Sequence, residues 1–191
     1  MVKLRHIILK LKEKIFRGRR KTTSVFLPVL LDYRQRILVL LPEGIKSPPL
    51  REIIGSFRGF FDGFPLQFVA PANRAGEIPP DLPCIYYSDE STTFTGNLVS
   101  AIAEDLAHHT YQLAIDLNER FSLIPALICR KSGAPVRIAF EKPRGNAYFN
   151  VFIRANGEVY ASKLERMLAQ LQAVTRRPEA AESQLDTVAV D

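Results

Sequence analysis

The sequence predicts an α/β protein in which helices flank a mainly parallel sheet of about six strands. Short apolar runs alternate along the chain with segments whose apolar residues recur at helical spacing. In addition, residues 111–140 contain a strand, a helix and a second strand in succession, and strands joined by such a crossover run parallel. These features are typical of a Rossmann-like domain, for which the expected strand order is 3-2-1-4-5 with one extra strand.

The predicted strands are short and are bounded by proline, glycine or polar residues. The first, residues 36–41, is a continuous apolar run closed by Pro42, as expected of a strand buried on both faces near the centre of the sheet. The earlier run at 25–31 is interrupted by Pro28, so it is either an edge strand or a segment that covers the sheet. The other predicted strands are residues 66–70, 83–87, 113–117, 136–140 and 148–154.

Start and stop signals accompany the predicted helices. The first helix has Ser47 as its cap, and the second begins at Thr93 or Thr95 and ends near His109. The proline-rich loop between the second and third strands lacks the pattern of a reliable helix. The last two predicted helices are residues 121–131 and 158–174.

The positive charge of the chain is concentrated in its first 21 residues. The net charge is +6, but residues 1–21 carry nine Lys or Arg and one acid, which leaves the remainder with a charge of −2. A basic surface that could grip a phosphate backbone is therefore not predicted for the body of the protein. The composition disfavours nucleic acid as a partner.

Residues 1–21 are predicted to form a basic amphipathic helix. Apolar residues recur at helical spacing from Leu4 to Ile15, and Gly18 should end the helix. One interpretation is that this helix lies on an anionic membrane surface, and another is that it packs on the protein's own body or on a protein partner. A disordered tail is the third. The basic residues that would make the membrane or partner contact are Lys3, Lys10, Lys14, Arg17, Arg19, Arg20 and Lys21.

The remaining chain is predicted to divide into an α/β domain, residues 22–174, and a disordered tail, residues 175–191. No run reaches the roughly eighteen apolar residues of a spanning helix, and the N-terminus does not have the pattern of a signal peptide. Cys84 and Cys129 follow no metal or redox spacing and are predicted to be buried, reduced thiols, with a disulfide as the alternative. The sequence thus predicts a cytoplasmic protein, peripheral to the inner membrane if the N-terminal helix binds lipid.

Ligands of such folds bind beyond the carboxyl ends of the strands, where the strand order reverses. Here that position corresponds to the loops after residues 41 and 117. The first loop has one glycine rather than a Gly-x-Gly-x-x-Gly array, which disfavours dinucleotide binding. Lys46 and the helix start at Ser47 could accept a single anion, and a purely structural turn is the alternative because Pro48 and Pro49 remove two N–H donors.

Polar residues follow the third and fourth predicted strands. Asp116 ends the fourth strand beside Asn118, where an α/β site would hold a functional carboxylate; alternatively, Asp116 accepts backbone N–H bonds and stabilises the turn. Asp89 lies in a polar segment that either contacts a cation or a sugar hydroxyl, or caps the next helix. Arg137, Lys142 and Arg144 are close in sequence and could contact phosphate or an acidic partner, with a solvated basic loop as the default. No spacing indicates a metal site, a hydrolase motif or a cofactor.

The strand that ends in Asp116-Leu117, the following helix, the turn 132–134 and the strand that ends at Phe140 resemble the corresponding part of the heptosyltransferase-like glycosyltransferases of family 9, which have the GT-B fold. The resemblance covers residues from about Ile37 to Val174, including the late segment 150–152. It implies that the chain is similar to the N-terminal, acceptor-side half of that family. In the active enzymes the loop after the first strand holds a Gly-Asp pair whose aspartate is the presumed base.

The chain departs from this family pattern at two places. Its first loop has Glu43-Gly44 and no aspartate, so Glu43 is the candidate catalytic residue. The donor-binding half would follow Val174, where seventeen residues remain. The resemblance therefore implies a non-catalytic binding or scaffold module of the bacterial cell envelope. The alternatives are a glycosyltransferase subunit that needs a separate donor-binding partner, and a small protein that binds a nucleotide, a nucleotide sugar or a sugar acceptor at a mouth formed by Glu43, Asp89 and Asp116.

Overall fold

The computed structural model describes residues 29–44, 49–93, 95–155 and 159–176. Six parallel strands form its main sheet, and a separate parallel pair joins β1 (Val29–Leu30) to β8 (Thr175–Arg176). The predicted N-terminal helix, Lys46, Ser47 and most of the predicted C-terminal tail lie outside the described residues. The strands of the main sheet are β2 (Arg36–Leu40), β3 (Leu66–Pro71), β4 (Cys84–Tyr87), β5 (Tyr111–Asp116), β6 (Val136–Phe140) and β7 (Val151–Ile153).

The strand order of the main sheet is β4-β3-β2-β5-β6-β7. Counted within this sheet, the order is 3-2-1-4-5-6, which confirms the predicted Rossmann-like topology. Leu40 at the end of β2 is in register with Val69 of β3 and Asp116 of β5. The sheet therefore reverses its order between β2 and β5, and the loops that follow these two strands leave from the same edge.

Helices cover both faces of the sheet. Alternate residues of β2 point to opposite sides, and each side forms its own apolar cluster. Val39 packs in the cluster with α1 (Leu50–Phe60) and α4 (Tyr160–Val174), whereas Leu38 packs in the cluster with α2 (Ser100–Ala107) and α3 (Leu123–Lys131). All residues of β2 from Ile37 to Leu40 are fully buried, as the continuous apolar run predicted.

The prediction for the start of α2 is wrong, because α2 begins at Ser100 and not at Thr93 or Thr95. Thr93 and Asn97 instead close a tight turn, in which the N–H of Thr93 donates to the carbonyl of Asn97 and the N–H of Asn97 donates to the Thr93 hydroxyl. Threonine and asparagine compete with helix formation through such local bonds.

Two further predictions need correction. β7 covers Val151–Ile153 rather than 148–154, because Gly145–Ala147 is a 3-10 turn and the N–H of Tyr148 donates to the carbonyl of Gly145. The proline-rich loop contains a 3-10 helix at Ala72–Glu77. Both segments are short, and their backbone groups form hydrogen bonds within local turns.

Candidate functional site

Three loops meet at the carboxyl edge of the sheet, those after β2, β5 and β6. They bring together Glu43, Asp116, Asn118 and Lys142, of which the first three were predicted from the sequence. Lys142 lies 26 positions beyond Asp116 in the sequence, and only the tertiary structure brings it to this site.

Asp116 is completely buried and forms an ion pair with Lys142. The Lys142 ammonium lies 2.6 Å from Asp116 Oδ2, and each side chain is 1% exposed. Asp116 Oδ1 accepts bonds from the backbone N–H of Asn118 at 3.0 Å and from its side-chain Nδ2 at 2.7 Å. Lys142 also donates to the backbone carbonyl of Asn118 at 2.6 Å, and its ammonium lies 5.1 Å from the centre of the Phe149 ring. Both charges are therefore neutralised inside the protein.

Asn118 connects this ion pair to Glu43. The Oδ1 atom of Asn118 accepts the backbone N–H of Glu43 at 2.8 Å, and the residue is 4% exposed. The Glu43 side chain is exposed, and its Oε1 atom accepts two hydroxyl bonds, from Tyr87 at 2.9 Å and from Ser122 at 2.7 Å. Glu43 is thus a carboxylate presented at the switch point, held through one of its oxygens.

Arg74 fixes the backbone of the same loop from the other side. Its Nη1 donates to the carbonyls of Pro42 and Gly44, which flank Glu43. Its Nε and Nη2 form a bidentate pair with Glu77, at 2.6 and 2.8 Å. The Arg74 guanidinium lowers the pKa of the Glu77 carboxyl. The backbone around Glu43 is therefore fixed from two directions.

The tyrosines at this edge are hydrogen-bond donors. Burial raises the pKa of Tyr87, and the neighbouring Glu43 raises it further. Burial likewise raises the pKa of Tyr160, whose hydroxyl donates to the carbonyl of Leu117 at 3.0 Å. Burial also raises the pKa of the Cys129 thiol, with a contribution from the charge of Asp116. These groups stay protonated at neutral pH, and the two tyrosines stabilise the edge through their hydrogen bonds.

The predicted ligand residue Asp89 follows β4, two positions after Tyr87, which contacts Glu43. Asp89 is exposed in a three-residue 3-10 helix at Asp89–Ser91, which Ser88 caps by accepting the N–H of Glu90. Lys46 and Ser47, the proposed anion contacts, are outside the described residues. Glu43 contacts Tyr87, Ser122 and Asn118, and the hypothesis that Glu43, Asp89 and Asp116 form one mouth stays a prediction.

Sequence reasoning missed Tyr87 and Ser122, and it named Lys142 without predicting its ion pair with Asp116. The expectation of a solvated basic loop is wrong for Lys142, which is 6% exposed. It is also wrong for Arg137, whose guanidinium donates to the carbonyls of Tyr148 and Ala134. The available signal was weak, because a lysine two positions beyond a strand is as common on a surface as in an ion pair.

A cavity of about 290 Å³ opens at the opposite edge of the sheet. Phe61, Phe64 and Leu82 line it together with the charged side chains of Arg58 and Asp81. It lies at the amino ends of β3 and β4, whereas ligands of open α/β sheets bind at the carboxyl ends. We therefore place the candidate site at Glu43.

A metal site and a membrane-spanning helix were sought in the part of the chain that the structure describes. No three His, Cys, Asp or Glu side chains there are grouped closely enough to bind a metal ion. Among the same residues, no helix combines the length and apolar character required to cross a bilayer.

The fold and this carboxyl edge define a Rossmann-like α/β domain with the 3-2-1-4-5-6 strand order. A solved structure similar to it is that of the glycosyl transferase family 9 protein from Veillonella parvula DSM 2008, with a TM-score of 0.55 and 15% sequence identity. The match covers 75% of this chain and 43% of that chain. No protein-family model matches the sequence, and no curated protein matches it significantly. The likeness shows a fold similar to that of family 9, in agreement with the resemblance seen in the sequence.

Proposed function

We propose that this chain is a non-catalytic binding or scaffold module with a glycosyltransferase family 9-like fold, whose carboxyl edge binds a ligand through Glu43. The observation that supports this proposal best is the buried ion pair of Asp116 and Lys142, in which both side chains are 1% exposed. The carboxylate at the position where an α/β enzyme would place a reactive group is neutralised inside the protein and is not presented to a substrate.

A general base must lie within hydrogen-bond distance of the proton that it removes. Asp116 does not meet this requirement, because it is completely buried and both of its oxygens accept bonds from Asn118 or Lys142. Glu43 does face outward, but its Oε1 atom already accepts two hydroxyl protons. Such a carboxylate is well arranged to accept a hydrogen bond from a ligand hydroxyl, and a sugar acceptor or a nucleotide sugar is the ligand class that the fold suggests.

The test is a thermal-shift screen against sugars, nucleotides and nucleotide sugars, followed by a turnover assay with each ligand that binds. A ligand that binds the folded state raises the melting temperature by mass action. We expect a shift that is lost in Glu43→Gln and retained in the control Glu119→Gln, which alters an exposed carboxylate in the neighbouring loop. We expect no turnover. Absence of any shift, or a shift that survives Glu43→Gln, contradicts binding at Glu43. Turnover that Glu43→Gln abolishes contradicts the non-catalytic part of the proposal.

The place of action that we propose is the cytoplasmic face of the membrane. Its motivation is the charge of +8 in residues 1–21, since each basic residue near an anionic surface contributes on the order of 1 kcal/mol. Deletion of residues 1–21 should abolish co-sedimentation with anionic liposomes. Unchanged binding after the deletion contradicts the membrane contact.

A second candidate is a glycosyltransferase subunit whose donor site comes from a separate chain. Its support is the fold similarity to the Veillonella parvula glycosyl transferase family 9 protein, 43% of which this chain matches. The expected result is that a nucleotide-sugar-binding chain co-purifies with this one and that the pair turns over a nucleotide sugar. Purification from its native host without such a chain argues against this candidate.

A further inference from the structure

We propose that Lys142 is a positioning residue for Glu43, acting through Asp116 and Asn118 from the loop after β6. This inference rests on the proposed function only in taking Glu43 as the group that meets the ligand. The path from the Lys142 ammonium to the backbone of Glu43 consists of three contacts, none longer than 2.8 Å. They join Lys142 to Asp116 at 2.6 Å, Asp116 to the Asn118 amide at 2.7 Å, and the Asn118 amide oxygen to the Glu43 N–H at 2.8 Å.

The orientation of the Asn118 amide carries the argument. An ionised carboxylate accepts hydrogen bonds and does not donate them. Asp116 therefore requires the NH₂ end of the Asn118 amide, which leaves the oxygen end for the backbone N–H of Glu43. A flipped amide would place two donors against each other at Glu43 and two acceptors against each other at Asp116. The charge of Asp116 thus selects the one amide orientation that holds the Glu43 backbone.

Lys142 is the counter-charge that this arrangement needs. Its ammonium donates to the Asp116 carboxylate and to the backbone carbonyl of Asn118, so it contacts both residues of the hydrogen-bonded pair. A buried carboxylate without a cation is strongly disfavoured. Removing the ammonium therefore perturbs the carboxylate that orients the Asn118 amide, and this weakens the bond to the Glu43 N–H.

The test compares two lysine variants by NMR amide exchange of the full chain. Lys142→Met removes the ammonium of the proposed path. Lys163→Met is the matched control. Lys163 lies on α4 and pairs at 2.5 Å with Glu119 in the loop after β5, but it is outside the path. After correction for any change in global stability, we expect the Glu43 amide to exchange about tenfold faster in Lys142→Met, as loss of one hydrogen bond implies. In Lys163→Met the change should stay within about twofold.

Equal exchange of the Glu43 amide in the two variants overturns the proposal. A second measurement on the unaltered chain covers the case in which Lys142→Met does not fold. The Lys142 ammonium protons should then be observed directly as slowly exchanging signals, and a rapidly exchanging, mobile ammonium also overturns the proposal. Failure here is distinguishable from failure of the proposed function, because ligand binding that depends on Glu43 would persist. Conversely, intact positioning without any ligand shift contradicts only the proposed function.

Discussion

Asp116→Asn should strongly destabilise the protein, although it preserves the shape of the side chain. Oδ1 of Asp116 accepts two N–H groups of Asn118, and Oδ2 accepts the Lys142 ammonium. Asparagine has one oxygen and one NH₂ group, so either orientation places a donor against a donor. The Lys142 charge, 1% exposed, also loses its partner. Breaking a buried pair in this way costs about 3–5 kcal/mol, which corresponds to a fall in melting temperature of about 6–20 °C for a chain of this length.

The assay is urea unfolding followed by circular dichroism on a double-mutant cycle of Asp116→Asn and Lys142→Met. Because the double variant leaves no buried charge, it should recover about 2 kcal/mol or more relative to the sum of the single variants. Glu119→Gln serves as the control, since its pair with Lys163 is partly exposed and should be worth less than about 1 kcal/mol. A loss below about 1 kcal/mol in Asp116→Asn, or strict additivity in the cycle, would refute the reasoning.

Three further predictions concern thiols and the loop after β6. Burial raises the pKa of Cys84 to about 11 and raises that of the more deeply buried Cys129 well above its usual range. Iodoacetamide at pH 8 should therefore label both thiols far more slowly in the folded protein than in urea, and it should label Cys129 last. Mass spectrometry of the peptides checks this, and rapid labelling of folded Cys129 contradicts it. Gly145→Ala would place a Cβ 2.9 Å from the Phe152 ring and should cost about 1–3 kcal/mol in urea unfolding, whereas an unchanged midpoint contradicts the close approach. Arg144→Gly should be more stable than Arg144→Ala by up to about 1 kcal/mol, because both remove the same side chain and only glycine relieves the φ of 71°; equal stability of the two variants contradicts the backbone strain.

Most of the sheet could be predicted because its signals are local. The apolar run at 36–41 and the strand-helix-strand succession at 111–140 required only neighbouring residues and the handedness of crossovers. The strand order was expected because it is typical of Rossmann-like folds, and the structure confirms it. The start of α2 could not be predicted in this way. Thr93 is an acceptable helix cap, and only the turn that it forms with Asn97 shows that the helix begins later, at Ser100.

The candidate site was predicted in part. The rule for α/β sheets selects the edge that holds Glu43, Asp116 and Asn118, because the order of β2 and β5 follows from the topology. It does not show which carboxylate is presented to solvent. Asp116 is the better candidate by position alone, yet it is completely buried, and Glu43 is the exposed one.

The sequence by itself determined the Rossmann-like architecture, since the period of the apolar pattern and the breakers between elements act over a few residues. Only the tertiary structure decided which charges are neutralised and which face outward. Lys142 lies 26 residues from Asp116, and Ser122 lies 79 residues from Glu43. Parallel crossovers bring the ends of β2, β5 and β6 to one edge, and hydrogen bonds between such distant groups leave no periodic trace in the sequence.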